Sequence, residues 1–564
     1  MPIELISFDK GINRKKSQLI LTQGEVYNCS GFSFKKDGEL VARDATTVSY
    51  EIDSDGTING VHRYGTNLVH SANKLCAGEQ AYFNYIYHRD ITGTSNANIT
   101  ILGGSTRPRF ADYDKFIFVV DEENKKALSD AYVYNWGIDN PILAPGVDLG
   151  AAGNPDGEYY CYYTWYVQFP NEKVYETGPS PSYVVTASSQ KLSWNVPIPP
   201  NFGSGTTVQT RPYRTVSGII YYVTSLTSDT TSYTDNELDA TIQGNPILST
   251  EDYGPPPVGC TDVAIHLQRA FVIKENKLYY TEPYMPWAFI DGGEIVVSKD
   301  DENLIGLIVW SEQLYIPSRY KWYRLQGSNA DTWSIKQTFT DSGVINKHTL
   351  ATTRFGIPGL WYDGIYIFDG ATNKNLSEKY LGKQFFEDID DLDDCWAYFD
   401  GLKYYFYYTV DSVNQCVVLD FSYYPDIRWY FDTPVWESRT FYAETGNHYI
   451  ALDGYEYTIS GTESIATEMW TGDYAFKDIA KRKLLKYLWY DINTGGEDVT
   501  LTLYVDGTST QTWTLNTSAR VRKREETASW KCEGYRFSLK IACSESSAIT
   551  IYAPWGMDAD YVGV

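Results

Sequence analysis

The residues able to do chemistry in this 564-residue chain are few, and their spacing matches no known reactive set. Six histidines (His62, His70, His88, His266, His348, His448) never fall in H-E-x-x-H or H-x-H spacing, so the sequence proposes no metal ligands. Phosphate-cradling G-x-x-x-x-G-K-[ST] loops, G-x-G-x-x-G turns and the G-x-S-x-G nucleophile elbow are all missing from it. Eight cysteines are scattered with no C-x-x-C pair, which points to buried or surface thiols instead of a zinc site or a dense disulfide scaffold. The acidic run "EDIDDLDD" from Glu387 offers hard oxygen ligands for calcium but lacks the glycine and closing glutamate of an EF-hand loop, and a solvated loop is the simpler reading. "SNADTW" from Ser328 and "DSDGTING" from Asp53 approach, and each break, the S-x-D-x-G-x-T-W turn of sialidase-type propellers. No catalytic residue, cofactor site or metal site is therefore expected.

Two basic clusters stand out on a chain whose net charge is −25. Lys477, Lys481, Arg482, Lys483 and Lys486 form the first, and Arg520, Arg522, Lys523 and Arg524 the second. Such clusters could take DNA phosphates or an acidic neighbouring protein, and a solvated strand face is the alternative. The overall acidity argues against a protein that grips nucleic acid with its whole surface. No apolar stretch approaches the roughly 20 residues that span a bilayer, and "MPIELISFDKG" lacks the charged-then-apolar opening of a signal peptide, so a cytosolic start is expected.

The elements that would position these groups are strands. Aromatic residues make up 16% of the chain, with 49 Tyr, and aromatic and β-branched enrichment favours sheets. A recurring phrase pairs two alternating runs across a polar turn: "AFVIKENKLYYT" from Ala270, the run from Leu307 to Pro317, "GLWYDGIYIF" from Gly359, "YFDGLKYYFYYTV" from Tyr398 and "YIALDGYEYTI" from Tyr449. Period-two alternation around such a turn is a β-hairpin. Its turn residues Asn276, Glu312, Gly364, Gly401 and Gly454 are spaced by 36, 52, 37 and 53 residues. That is close to the roughly 40–50-residue repeat of propeller blades. A further pair is expected over Phe110–Asp130 with its turn near Glu123. "KDIAKRKLLKYLWY" from Lys477 admits a helix or a strand.

From Glu158 the pattern changes to about a hundred residues of short strands, the size of a β-sandwich module. Tyr159–Tyr166, Trp194 as a core aromatic, Tyr213 with Arg214, and Tyr233 to Asp235 resemble a fibronectin type III domain, and "YGPPPVG" from Tyr253 reads as a stiff linker. The strands after Trp470, with turns at Gly495-Gly496 and Asp506-Gly507, suggest a second sandwich. The expected fold is all-β: a β-propeller in residues 1–151 and 253–468, an inserted fibronectin-III-like sandwich in 152–252, and a C-terminal sandwich in 469–564.

The opening residues Phe8, Gly11, Ile12, Asn13, Gly24, Glu25, Asn28, Gly38, Leu40 and Arg43, with the stretches from Val263 to Phe289, Leu304 to Gly327, Asp341 to Thr349 and Gly359 to Gly370, resemble the tail nozzle or hub proteins (tail tubular protein B-like) of short-tailed bacteriophages. Lys10 stands where that family has a second glycine. The resemblance spans nearly the whole chain. It implies a structural virion protein, not an enzyme, that is assembled in the host cytoplasm and located in the tail. Six copies would form a ring below the head-to-tail adaptor, touch tail fibre or tailspike proteins, and retain and conduct genomic DNA without sequence-specific binding. A receptor- or glycan-binding propeller, with or without glycoside hydrolase activity, is the alternative, and a cellular propeller scaffold a third reading.

Overall fold

Alternation of apolar and polar side chains puts one face of each strand on a core, and a tight turn with left-handed backbone returns the chain beside itself. In the computed structural model this device recurs along the sequence. The structure describes residues 3–35, 39–43, 45–51, 57–64, 73–80, 83–90, 96–102, 107–122, 125–129, 132–203, 205–299, 302–432, 441–444, 447–452, 455–461, 465–527, 532–546 and 548–562. Gly38, the Asp53 turn, Glu123 and the Gly454 turn lie outside them. The regular structure of the described residues is almost all strand, with helices no longer than five residues. None of those helices is long and apolar enough to cross a membrane. The protein is all-β, and its repeating unit is the antiparallel meander of a β-propeller blade.

The chain divides into two units, 62–337 and 1–61 with 338–564. In the first, four-stranded meanders run through Arg109–Tyr113, Phe116–Val120, Lys125–Ser129 and Tyr132–Asn135, then Asp262–His266, Arg269–Lys274, Lys277–Glu282 and Met285–Ile290, then Ile308–Trp310, Gln313–Pro317, Trp322–Gln326 and Ser334–Gln337. Between the first two meanders lie two sheets, one of Gly146–Ala152, Gln190–Asn195 and Ser232–Asp235, the other centred on Gly157–Gln168 and Thr207–Val216. They share a buried cluster that includes Val147, Tyr159, Cys161, Tyr163, Leu192 and Trp194.

In the second unit, meanders run through Ile357–Trp361, Gly364–Phe368 and Asn373–Asn375, then Trp396–Phe399, Lys403–Val410, Val413–Asp420 and Arg428–Asp432. The phrases from Ala270, Leu307, Gly359, Tyr398 and Tyr449 all form antiparallel pairs. The Lys477 stretch resolves into turns followed by the strand Lys483–Asn493.

The residues from Trp470 onward share their sheets with the first 42 residues. Ile3–Ile6 pairs with Trp555–Tyr561, Leu40–Val41 with Thr550–Ile551, and Glu25–Ser30 with Ile465–Thr471. Ala45–Glu51 likewise completes the sheet of Phe441–Gly461. Gly11 has φ +80, and a Cβ there would stand 2.7 Å from the Trp429 nitrogen and 2.8 Å from its carbonyl oxygen, so only glycine lets the opening segment lie against this strand.

Candidate functional site, an arginine ladder on the C-terminal sheet

Of the first cluster, Lys483 and Lys486 lie on the strand Lys483–Asn493, and Lys477, Lys481 and Arg482 in the turns before it. The second cluster lies on, and with Arg520 just before, the strand Val521–Glu526, which pairs with Tyr487–Ile492, while Glu533-Gly534 pairs with Lys483-Leu484. Arg520, Arg522 and Arg524 recur at period two, so they rise from one face of the sheet. Arg522 sits directly opposite Asp491, and Arg524 opposite Trp489. Asp491, whose side chain is 2% exposed, accepts Nε and Nη2 of Arg520 at 2.8 Å each and Nε of Arg522 at 3.0 Å. Two guanidiniums on one carboxylate hold the Asp491 carboxyl below its ordinary 3.8, the hydrogen bond from Arg520 being the largest cause. Arg524 stacks over Tyr487, its guanidinium carbon 3.5 Å from the ring centre, and reaches Asp558 at 3.4 Å; Arg520 lies over Tyr552 at 3.9 Å.

Most of the other sequence-selected cations are held in the same way. Lys483 is fully buried, its ammonium donating to the carbonyls of Asp478 and Tyr535. Lys486 pairs with Asp560, Lys481 with Asp478 at 3.5 Å, Arg482 with Glu533 at 3.3 Å and Lys523 with Glu525. Lys477 is exposed, and its charge acts on Glu4. The ladder itself sets three guanidiniums against two buried carboxylates, and the Glu39 charge acts on Arg520 as well, so at most one positive charge is in excess. Its capacity for anions is that of a single, partly screened charge.

The Asp491 pairing sets a pH dependence with a definite sign. A carboxyl whose folded value is depressed binds its proton more weakly folded than unfolded, so its stabilisation is complete above the ordinary value of 3.8 and is lost as pH falls through and below it. Asp491→Asn is therefore expected to lower the melting temperature at pH 7 and to converge on the wild-type value as pH drops below 4. An undiminished gap at pH 3 would refute the assignment.

The acidic run is tied to the short helix before it and to the turn of a neighbouring hairpin. Glu387 pairs with Lys383 at 2.8 Å, Asp388 accepts from Gln384, and Asp390 accepts the backbone N–H groups of Asp411 and Ser412 at 3.0 and 2.8 Å. Among the described residues no three His, Cys, Asp or Glu gather as a metal set. The seven cysteines whose side chains are described, all but Cys76, are buried.

Sequence reasoning missed a groove of about 630 Å³ beside Arg428–Asp432, lined by Arg14, Asn28, Phe385, Asp388, Tyr408 and Gln415, with Asp432 buried at its base against Arg43 at 2.8 Å. Phe385 stands edge-on to Tyr408 at 5.0 Å, and the Tyr408 hydroxyl donates to Gln415 Oε1 at 3.2 Å. These residues come from four separate stretches, and no local motif joins them.

No protein-family model and no curated protein matches the sequence. Among solved structures, the chain is similar to BamB from Moraxella catarrhalis at 8% identity and TM-score 0.33, over 81% of this chain and 98% of that one. It is similar to AztD from Citrobacter koseri at 10% identity and TM-score 0.26, over 70% and 83%. A third similarity is to PorZ, a surface component of the type-IX secretion system of Porphyromonas gingivalis, at 9% identity and TM-score 0.26, over 90% and 82%. Likenesses this remote leave the assignment of fold to the strands themselves.

Proposed function

We propose that this protein is a rigid β scaffold that works by shape and assembly and not by turnover, and that its specific role is that of a tail nozzle or hub subunit in a short-tailed phage. In this reading six copies form a ring below the adaptor, fibre or spike proteins attach to it, and the genome is retained in and then conducted through the channel. Residues 152–252 serve as a sandwich module set between the blade-forming stretches. The observation that carries the proposal is the disposition of positive charge. The two dense basic clusters of the C-terminal segment are bound almost entirely by the chain's own carboxylates and carbonyls, so neither stands as a free basic strip against the net charge of −25. A wall of that character repels phosphates and lets DNA pass without adhering. The sequence resemblance supports the same role.

The test is assembly. Mass photometry and negative-stain imaging of the purified chain with its adaptor should show sixfold rings. Monomers that ignore the adaptor would overturn the nozzle role. The groove beside Arg428–Asp432 favours a second reading, a glycan-binding propeller, because aromatic faces and planar polar side chains such as Asn28 and Gln415 suit sugar hydroxyls and ring faces. Saturable binding on a glycan array, abolished by Tyr408→Ala, would select that reading.

A further inference from the structure

A second, smaller cleft lies wholly within the 62–337 unit. It measures about 190 Å³ and is lined by Tyr134, Asp139, Trp165, Phe169, Phe202 and Trp287 among others. Phe169 stacks on Trp287 with ring centres 4.6 Å apart and planes 25° off parallel. Tyr134 meets Phe169 edge-on at 4.9 Å, and Phe202 is tilted against Trp165 at 5.7 Å. The walls are held from behind. The Trp136 indole donates to the Pro286 carbonyl at 2.8 Å. Gly137, at φ +90, packs so closely on the proline linker that a Cβ there would come within 2.9 Å of Pro255 Cβ. The cleft is thus built into the fold and does not wait for a guest to form it.

Its size and lining select a class of guest. Pockets for drug-sized or oligomeric ligands run from about 300 to 1,000 Å³, so this one takes a single side chain or headgroup. Aromatic faces carry negative quadrupole charge, and the exposed Asp139 adds a carboxylate to the lining. The cation whose charge acts on Asp139 is Lys125, and its ammonium is turned to the Pro256 carbonyl. Tyr175 also feels the Asp139 charge, but burial pushes its hydroxyl pKa up, so it stays neutral. A compact, strongly hydrated ammonium would lose too much hydration against five rings, whereas a methylated ammonium keeps its charge and sheds water readily.

We propose that this cleft is an aromatic cage that binds one weakly hydrated organic cation, a methylated ammonium group. The site is independent of the assembly role proposed above. Choline and its neutral isostere 3,3-dimethylbutan-1-ol are the probes, read by saturation-transfer NMR on the full chain. Choline methyl signals should saturate with concentration, the isostere should neither bind comparably nor compete, and both Asp139→Asn and Phe202→Ala should weaken choline by about five-fold or more. Asp139 is exposed, so the Asn variant keeps the fold, and a thermal melt checks the Ala variant. Equal binding of the isostere would show a plain apolar hole and overturn the proposal. So would the absence of any saturable choline signal, or choline binding unmoved by both substitutions.

Discussion

Residues 469–564 produced as a separate fragment are expected to remain unfolded, and joining residues 1–43 to them through a flexible linker is expected to restore structure. Strand pairing gives the reason. Trp555–Tyr561 lies between Lys483–Asn493 and Ile3–Ile6, and Met469 and Trp470, in the part of the strand Ile465–Thr471 that the fragment keeps, lie between Phe537–Ser546 and Glu25–Ser30. Without the opening segment these strands become bare edges. The fragment also loses Ile6, Phe8, Ile12, Val26, Phe32, Phe34 and Leu40, all buried in the same cluster as Leu488, Ile541 and Trp555. Each is worth about 1.5–3 kcal/mol of burial, and together, at about 10–20 kcal/mol, they are as large as the roughly 5–15 kcal/mol that separates a folded domain from its unfolded chain. Amide dispersion in a proton–nitrogen NMR spectrum reads the result directly. A dispersed spectrum and a cooperative melt from 469–564 alone would contradict the sheet order.

That pairing also marks where sequence reading stops. The hairpins are legible because both strands and the turn lie within a dozen residues, as in Arg269–Lys274 with Lys277–Glu282. Trp194, expected in a core, is 1% exposed. Turn type is harder to read. Asp114-Lys115, Leu267-Gln268, Ser311-Glu312 and Asp411-Ser412 each put two consecutive residues at positive φ inside two-residue hairpins, yet none has the Asn-Gly signature. The twist of the flanking strands imposes the left-handed turn at about 1–2 kcal/mol per residue, and packing offsets it. Gly364, expected as a turn residue, is instead the first residue of its strand, the turn falling on Tyr362-Asp363. The joining of residues 3–42 to strands more than 400 positions away leaves no local trace, because any alternating strand offers the same edge. Charge reading fails for a related reason. Arg520 and Arg522 look like a free cluster until the sheet places Asp491 across from them, and the aromatic cleft draws Tyr134, Trp165, Phe202 and Trp287 from four stretches that share no motif.

Replacing Arg214 with methionine is expected to destabilise the 146–235 sheets by about 3–5 kcal/mol, the cost of leaving one partner of a buried ion pair alone. Arg214 has no exposed side-chain surface. It donates Nε to Asp235 Oδ2 at 2.8 Å, Nη1 to Asp239 Oδ1 at 2.6 Å and Nη2 to the Glu237 carbonyl at 3.1 Å. Its guanidinium lies over the Tyr159 ring at 4.6 Å, and the Tyr159 hydroxyl donates to Asp239 in turn. Methionine fills similar volume and keeps the sulfur over the ring, but strands the fully buried Asp235 carboxylate. Burial already raises the Asp235 pKa above 3.8, against the opposing Glu237 N–H and Arg214, and loss of the arginine raises it further. A carboxyl raised in the folded state favours folding at low pH and loses that contribution as pH climbs through its folded value, so the defect should be larger at pH 7 than at pH 4. Hydrogen exchange at the amides of Thr207–Val216 reads this local stability without assuming that the whole chain unfolds in one step. Protection should fall by about two to three orders of magnitude at pH 7, since each 1.4 kcal/mol is tenfold. Adding Asp235→Asn to Arg214→Met should return part of the loss and flatten its pH dependence, because an amide carries no charge to bury. Exchange unchanged to within tenfold, or a loss that is the same at pH 4 and pH 7, would show that Asp235 does not depend on Arg214 for its charge.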